Sequence, residues 1–251
     1  MSDILIREQR EAVVFLRMNR PEKRNAFNRE LSLALAAACE ELQQDDQVRV
    51  VVLTGAGEAF SAGADMTEAL ASFEDGRGGQ GMAPAVVGVA GFTKPIIAAV
   101  NGYAFGGGAL IACSCDIRIA SDRASFRFPG ANYGLVVGGS QLPRIVGGAK
   151  AKELIFTARV VAAEEAGRIG LVNQVVPHDS LDEAVWQMAR QIAENSPAAV
   201  RWSKAVIDGA TTIDKGTQLE LEANRALRGS ADHLSRFRSA TERIAPAEEA
   251  S

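Results

Sequence analysis

The feature that most constrains this chain is a set of nearly continuous aliphatic runs: Val48 to Thr54, Ile96 to Val100 and Ile117 to Ala120. Runs of this kind do not alternate polar with apolar residues, so a sheet built from them must be covered on both faces. Each run follows a stretch with helical character. Behind a capping Asn28, the residues Leu31, Leu35, Ala38 and Leu42 recur at the spacing of one helix face, and Ala85 to Phe92 and Gly107 to Cys115 supply further helices. Strands separated by crossovers of helix length pair in parallel with right-handed connections. The expected core is therefore an α/β layered structure, entered through a hairpin of Ile4 to Ile6 and Ala12 to Met18.

After Val176-Pro177 the strand patterns stop. Leu181 to Glu194, Ala198 to Gly209, Gln218 to Arg228 and Asp232 to Arg243 all carry helical patterns, apolar enough to need a partner surface within the subunit or on a neighbour. The expected division is a core of residues 1–195 and a C-terminal helical region of residues 196–251. Residues 72–83, rich in glycine and polar side chains, read as a mobile loop of the kind used for lids and ligand contacts.

Composition narrows the function classes. The 251 residues suffice for a sizeable core, and a net charge of −4 offers no basic surface for nucleic acid. No apolar stretch is long enough to span a membrane, and Met1 to Arg10 lacks the basic-then-apolar layout of a signal peptide. Cys39, Cys113 and Cys115 stand among alanines and isoleucines, which suits buried thiols in a reducing compartment such as the cytoplasm. A metal site is not expected, because the Cys113/Cys115 pair has no second pair and neither His178 nor His233 stands at zinc-motif spacing.

Two glycine-rich segments follow buried strands: Ala59-Phe60-Ser61-Ala62-Gly63-Ala64-Asp65, and Val100-Asn101-Gly102-Tyr103-Ala104-Phe105-Gly106-Gly107-Gly108. The second opens the helix that runs to Cys115, and a helix N-terminus presents unpaired N–H groups that glycine lets a ligand oxygen approach. A tight turn or close packing would explain either segment alone; together they suggest paired donors for an oxyanion. Ser61 in Phe60-Ser61-Ala62-Gly63 approximates a hydrolase nucleophile elbow, but an elbow needs a strand running straight into the turn, and neither histidine has a supporting context. Gly55-Ala56-Gly57 lacks the third glycine of a dinucleotide loop.

Five segments carry a family resemblance: Asn19 to Phe27, Phe60 to Asp65, Lys94 to Gly102, Cys115 to Ala120 and Gly170 to Pro177. In sequence and order they resemble the crotonase superfamily, the enoyl-CoA hydratase/isomerase family. The resemblance covers nearly the whole chain. It implies a spiral of ββα turns, a helical trimerisation region, and a homotrimer or a hexamer made of two trimers. It implies an acyl-CoA ligand with no cofactor beyond the coenzyme A of the substrate itself. It also implies that the N–H groups of Ala64 and Gly107 bind the thioester oxygen, with Gly106 beside them, and that Arg24, Ala26, Ala62 and Asp65 border the CoA. Asp65 and Asp116 belong to these segments but suit a local role, satisfying backbone N–H groups at turns, better than contact with substrate.

The sequence departs from the family's pattern where hydration needs its acids and bases. The resemblance places the two hydratase glutamates at Leu110 and at Gly130, and no Asp or Glu occurs between Asp122 and Glu153. Water addition requires proton transfer to carbon and from water, which general acid–base groups must supply. Glu68, Glu74, Asp75, Tyr103, Asn132 and Tyr133 are the polar substitutes within reach along the chain. Alternative activities for such a site are acyl-CoA decarboxylation, hydrolysis or an unusual isomerisation, and a non-catalytic acyl-CoA-binding subunit is a further alternative.

Overall fold

The computed structural model describes residues 4–74, 81–211, 221–222 and 224–244. It opens on strands β1 (Leu5–Arg10) and β2 (Val13–Met18), followed by helix α1 (Arg29–Gln44) and strands β3 (Val50–Gly55) and β4 (Ala59–Ser61). Helices α2 (Met66–Glu74) and α3 (Ala83–Ala90) lead to β5 (Ile96–Val100), β6 (Tyr103–Phe105) and α4 (Gly107–Ser114). Then come β7 (Ile117–Ser121), β8 (Ser125–Arg127), a 3-10 turn at Gly130–Tyr133, and helices α5 (Leu142–Val146) and α6 (Gly148–Thr157). The described chain ends with β9 (Val161–Ala162), α7 (Ala163–Arg168), β10 (Gln174–Val176), α8 (Leu181–Ala193), α9 (Pro197–Thr211) and α10 (Ala231–Ile244).

The aliphatic runs form the centre of a six-stranded sheet ordered β1-β2-β3-β5-β7-β10. Only β1 and β2 pair antiparallel, and the registers Val51↔Ile96 and Ile97↔Ile117 align the central strands. Alternation explains the unbroken hydrophobicity. Val51, Leu53, Ile96, Ala98 and Val100 enter the main core on one face, whereas Val50, Val52, Ile97 and Ala99 enter a second core on the other. That second core is closed by Leu181, Val185 and Ala189 of α8. Burial of each Leu or Val is worth roughly 1.5–3 kcal/mol, so an exposed outer face would cost the sheet most of its stability.

Helix α1 confirms its sequence signature. The Asn28 side chain accepts from the Leu31 N–H, and Leu31, Leu35 and Leu42 are fully buried. Its C-terminal end is capped by a buried cation: the Lys94 ammonium donates to the Leu42 and Asp45 carbonyls.

The sequence reading passed over a second sheet, ordered β4-β6-β8-β9. Its strands span no more than three residues, too short for periodicity to register, and each of β4, β6 and β8 follows a long strand through a tight corner. The long strand, short strand and helix repeat as ββα turns. Residues 72–83 are also corrected: Ser72 to Glu74 belong to α2 and Ala83 begins α3, while residues 75–80 lie outside the described residues. Of the helix expected at Gln218 to Arg228, residues 218–220 and 223 lie outside them as well.

Candidate functional site

The corners that follow β4 and β6 bring the two glycine-rich segments into contact. Gly63 adopts φ +98°, and a Cβ there would stand 2.7 Å from the Phe105 carbonyl oxygen and 2.9 Å from the Gly107 nitrogen. Only glycine permits both the conformation and the approach. The next residue is oriented by pairing with the loop before α1. Phe27 donates to the Gly63 carbonyl and accepts from the Asp65 N–H, so Ala64 sits opposite Phe27 in a parallel bridge. In that geometry the N–H of the middle residue points away from its partner strand. The Ala64 nitrogen consequently faces Gly107, 3.6 Å from where a Gly107 Cβ would lie.

Gly107 is the first residue of α4, and the first intrahelical bond runs from the Leu110 N–H to the Gly106 carbonyl. The N–H groups of the helix's first turn have no intrahelical acceptor, and the dipole adds positive potential there. The Ala64 nitrogen and the first residue of α4 thus come side by side from separate corners. The Met82 thioether reaches the same space: a Cβ on Gly107 would collide with its Sδ and Cε.

Buried amides hold the corners in place. Asn101 donates from Nδ2 to the Gly57 carbonyl and accepts at Oδ1 from the Gly55 N–H. Asn25, in a left-handed conformation, donates to the carbonyls of Ala56 and Ala59 and accepts from the Arg20 N–H. Arg20 reaches the Asp65 carboxylate at 3.1 Å and also the Ala26 carbonyl. Each of these would leave several buried carbonyls or N–H groups unpaired if truncated.

The comparisons with known proteins bear on this geometry. The family model for enoyl-CoA hydratase/isomerase matches residues 8–239. The chain belongs to the enoyl-CoA hydratase/isomerase family. It is 42% identical to a short-chain-enoyl-CoA hydratase of Clostridium acetobutylicum over 230 residues, covering 88% of this chain and 86% of that one. It is 39% identical to a crotonyl-CoA hydratase of Syntrophomonas wolfei, covering 87% of each. Among solved structures, an enoyl-CoA hydratase/isomerase from Pseudoalteromonas atlantica superposes with a TM-score of 0.85 at 33% identity, over 98% of this chain and all of that one. A carnitinyl-CoA hydratase from Mycobacterium avium gives the same TM-score and identity over 97% of each chain.

Within this crotonase fold the residues singled out from the sequence fall into distinct groups. Arg24 and Ala62 are exposed and joined by a bond from the Ala62 N–H to the Arg24 carbonyl, so they form a surface strip running to exposed Ala64. Ala26 is buried, and Asp65 is occupied by Arg20 and by the Glu68 N–H. Gly106 accepts from Leu110 and donates to the Arg127 carbonyl, and Pro129 stands 3.8 Å from the point where its Cβ would be. Leu110 is half-buried one turn along α4.

Gly130 leaves no room for a side chain. A Cβ there would stand 2.9 Å from the Leu135 oxygen and the Val137 nitrogen and 3.0 Å from the Val137 Cβ. The chain folds back through a bond from the Leu135 N–H to the Gly130 carbonyl, with Gly134 left-handed behind it. The space a side chain would need is filled by backbone.

The polar substitutes are partly engaged. A Glu68 carboxylate oxygen accepts from the Arg29 N–H at the start of α1. Tyr133 meets Phe237 of α10 edge-on, and Phe237 stacks on His233, which in turn meets Phe73 of α2. Helix α10 thereby brings His233 against α2, on the far side of Phe237 from Tyr133. Glu74 and Asn132 are exposed, Tyr103 is on the surface, and Asp75 lies outside the described residues. Asp116 serves the fold: it accepts from the Ile96 N–H and from Lys204 of α9, and burial pushes its carboxyl up against that cation's opposing pull.

Ser61 is fully buried, donating to the Asn25 carbonyl and accepting from the Gly63 N–H, which commits it to the corner. His178 instead pairs with Ser121 at 3.0 Å near the end of β7. Burial pushes the thiols of Cys39 and Cys113 up to about 11, so they stay protonated and unreactive near neutral pH. Two surface concavities, one beside Lys94 and Arg201 and one beside Cys39 and Val87, share no residue with the converging corners.

Sequence reasoning missed Met82 and the two asparagines. Asn101-Gly102 directly after a buried strand was the available signal for one of them. Nothing in the sequence places Met82 against Gly107.

Proposed function

We propose that this chain is an acyl-CoA enzyme that stabilises a thioester enolate between the N–H groups of Ala64 and Gly107, and that it hydrates enoyl-CoA poorly. The observation that supports the reading is the close approach of the Ala64 nitrogen to Gly107, together with a filled space at Gly130. Proton loss from the α-carbon, or addition at the β-carbon, moves negative charge onto the thioester oxygen. Donors already aimed at that oxygen lower the barrier, each by about 3 kcal/mol. Arg24, Ala62 and Ala64 offer the surface along which the CoA would run. Efficient hydration needs, in addition, groups that deprotonate water and protonate carbon. Leu110 and Gly130 supply neither.

The test is to incubate the protein with crotonyl-CoA and follow loss of enoyl absorbance. Turnover well below ~10 per second is expected, and turnover at or above that ordinary enzymatic value would overturn the claim of impaired hydration. Calorimetric binding of butanoyl-CoA tighter than free CoA is expected in either case. No acyl-dependent gain would remove the thioester reading altogether.

A second reading draws on the same missing carboxylates. An acyl-CoA bearing a carboxylate on its α-carbon gives the enolate by losing CO2, with no base required, and the donors alone then stabilise the product. Release of CO2 from malonyl-CoA or methylmalonyl-CoA would select it. Binding without turnover of any ester would instead select a non-catalytic subunit. We also read α9, with Trp202 73%, Val206 66% and Ile207 61% exposed, as a subunit contact within a trimer or hexamer, which light scattering on the purified protein checks.

A further inference from the structure

We propose that Met82 is the residue that sets acyl-chain length in this site, an inference that rests on the acyl-CoA reading above. Met82 immediately precedes α3, whose Ala85 and Val89 are fully buried, so its backbone is anchored to the main core. The side chain itself is partly exposed and packs on the edge of that core. Its Sδ and Cε occupy the space directly before Gly107, the space the Ala64 nitrogen also faces.

An oxygen held by both N–H groups places the attached acyl carbons next to the volume that the thioether fills. A bound acyl chain and the Met82 methyl group compete for the same room. Methionine suits a wall of this kind: it is unbranched, with three rotatable bonds, and withdraws without moving the backbone. A short acyl group needs a small withdrawal; each further methylene demands more, at a packing cost. On the α4 side, where α3 packs and Leu110 is half-buried, the wall suits a linear hydrocarbon, while the Glu68 carboxylate stands 3.7 Å from where a Gly81 Cβ would be.

The experiment measures affinities of free CoA, butanoyl-CoA, hexanoyl-CoA and octanoyl-CoA by calorimetry for the wild type, Met82→Ala and Met82→Phe. The wild type is expected to prefer butanoyl-CoA over octanoyl-CoA. Met82→Ala is expected to shift that ratio toward octanoyl-CoA by about tenfold, because discrimination per methylene in an apolar pocket is of that order. A shift of less than about threefold overturns the proposal. Met82→Phe, which carries the test alone if the alanine variant does not fold, is expected to bring every acyl-CoA down toward the affinity of free CoA. Unchanged acyl-CoA affinities in that variant overturn the proposal too. If the wild type binds no acyl-CoA more tightly than CoA, the acyl-CoA reading itself falls, and the chain-length proposal with it.

Discussion

The corner at Gly63–Gly107 and the turn at Gly130 use the same residue type to opposite ends. At the first, the absent side chain of Gly63 lets two backbone segments approach until Ala64 lies beside Gly107. At the second, the absent side chain lets the chain's own backbone move in, with the Leu135 oxygen and the Val137 nitrogen 2.9 Å from where a Cβ would stand. Glycine therefore marks an opening in one place and a closure in the other. What distinguishes them is the neighbouring backbone, which pairs with Phe27 in the first case and folds back on Gly130 in the second.

The largest expected effect comes from breaking the opening. Gly63→Ala puts a Cβ 2.7 Å from the Phe105 oxygen at a φ of +98° and displaces the Ala64 N–H. Acyl-CoA turnover, whichever reaction proves to be catalysed, is expected to fall by about 10²–10³-fold, measured as kcat/KM on protein whose far-UV dichroism is unchanged. Retained turnover would mean that Ala64 is not a donor to the reacting oxygen.

Next in size is a gain. Leu110→Glu places a carboxylate one helical turn past Gly107, and crotonyl-CoA hydration is expected to rise by about 10²-fold, the lower end of what a positioned acid or base supplies. No gain would show that position 110 does not face the acyl carbons.

Gly130→Glu is expected to give no such gain. It should instead destabilise the fold by about 1–3 kcal/mol as the Leu135–Val137 backbone is pushed aside. Thermal unfolding reads this as a drop of about 2–4 °C per kcal/mol. A gain in hydration without loss of stability would dissolve the contrast between the two sites.

The smallest effect tests what keeps the closure shut. Asn224 accepts from the Val136 N–H at 3.1 Å and donates to its carbonyl at 2.8 Å, tying the turn to the C-terminal segment. Asn224→Ala is expected to cost about 1 kcal/mol. Faster amide exchange at Val136 and Val137, with exchange at Gly107 unchanged, would locate the loss.

The large sheet, its parallel order, the α1 face and its Asn28 cap were legible in the sequence because they rest on local signals: aliphatic runs, helical spacing and a capping side chain. The family was legible from five short segments. The second sheet was not legible, because β4, β6 and β8 are too short to show a period and are formed only by pairing with one another. Residues 72–74 looked like loop from composition, yet Phe73 packs on His233 and Phe237, a contact with chain more than a hundred residues away. Met82 stood in the sequence only as one member of the 72–83 segment, with no signal of its contact with Gly107.

The chain's sequence by itself determined which residues form buried strands, which corners carry glycine, and which family the chain resembles, since each of these is written in near-neighbour spacing and residue type. Only the tertiary structure decided that Ala64 lies beside Gly107, that the Met82 thioether packs against Gly107, and that Gly130 is closed to a side chain. Those are facts about distances between segments far apart in the chain, fixed by buried asparagines and by strand pairing rather than by local pattern.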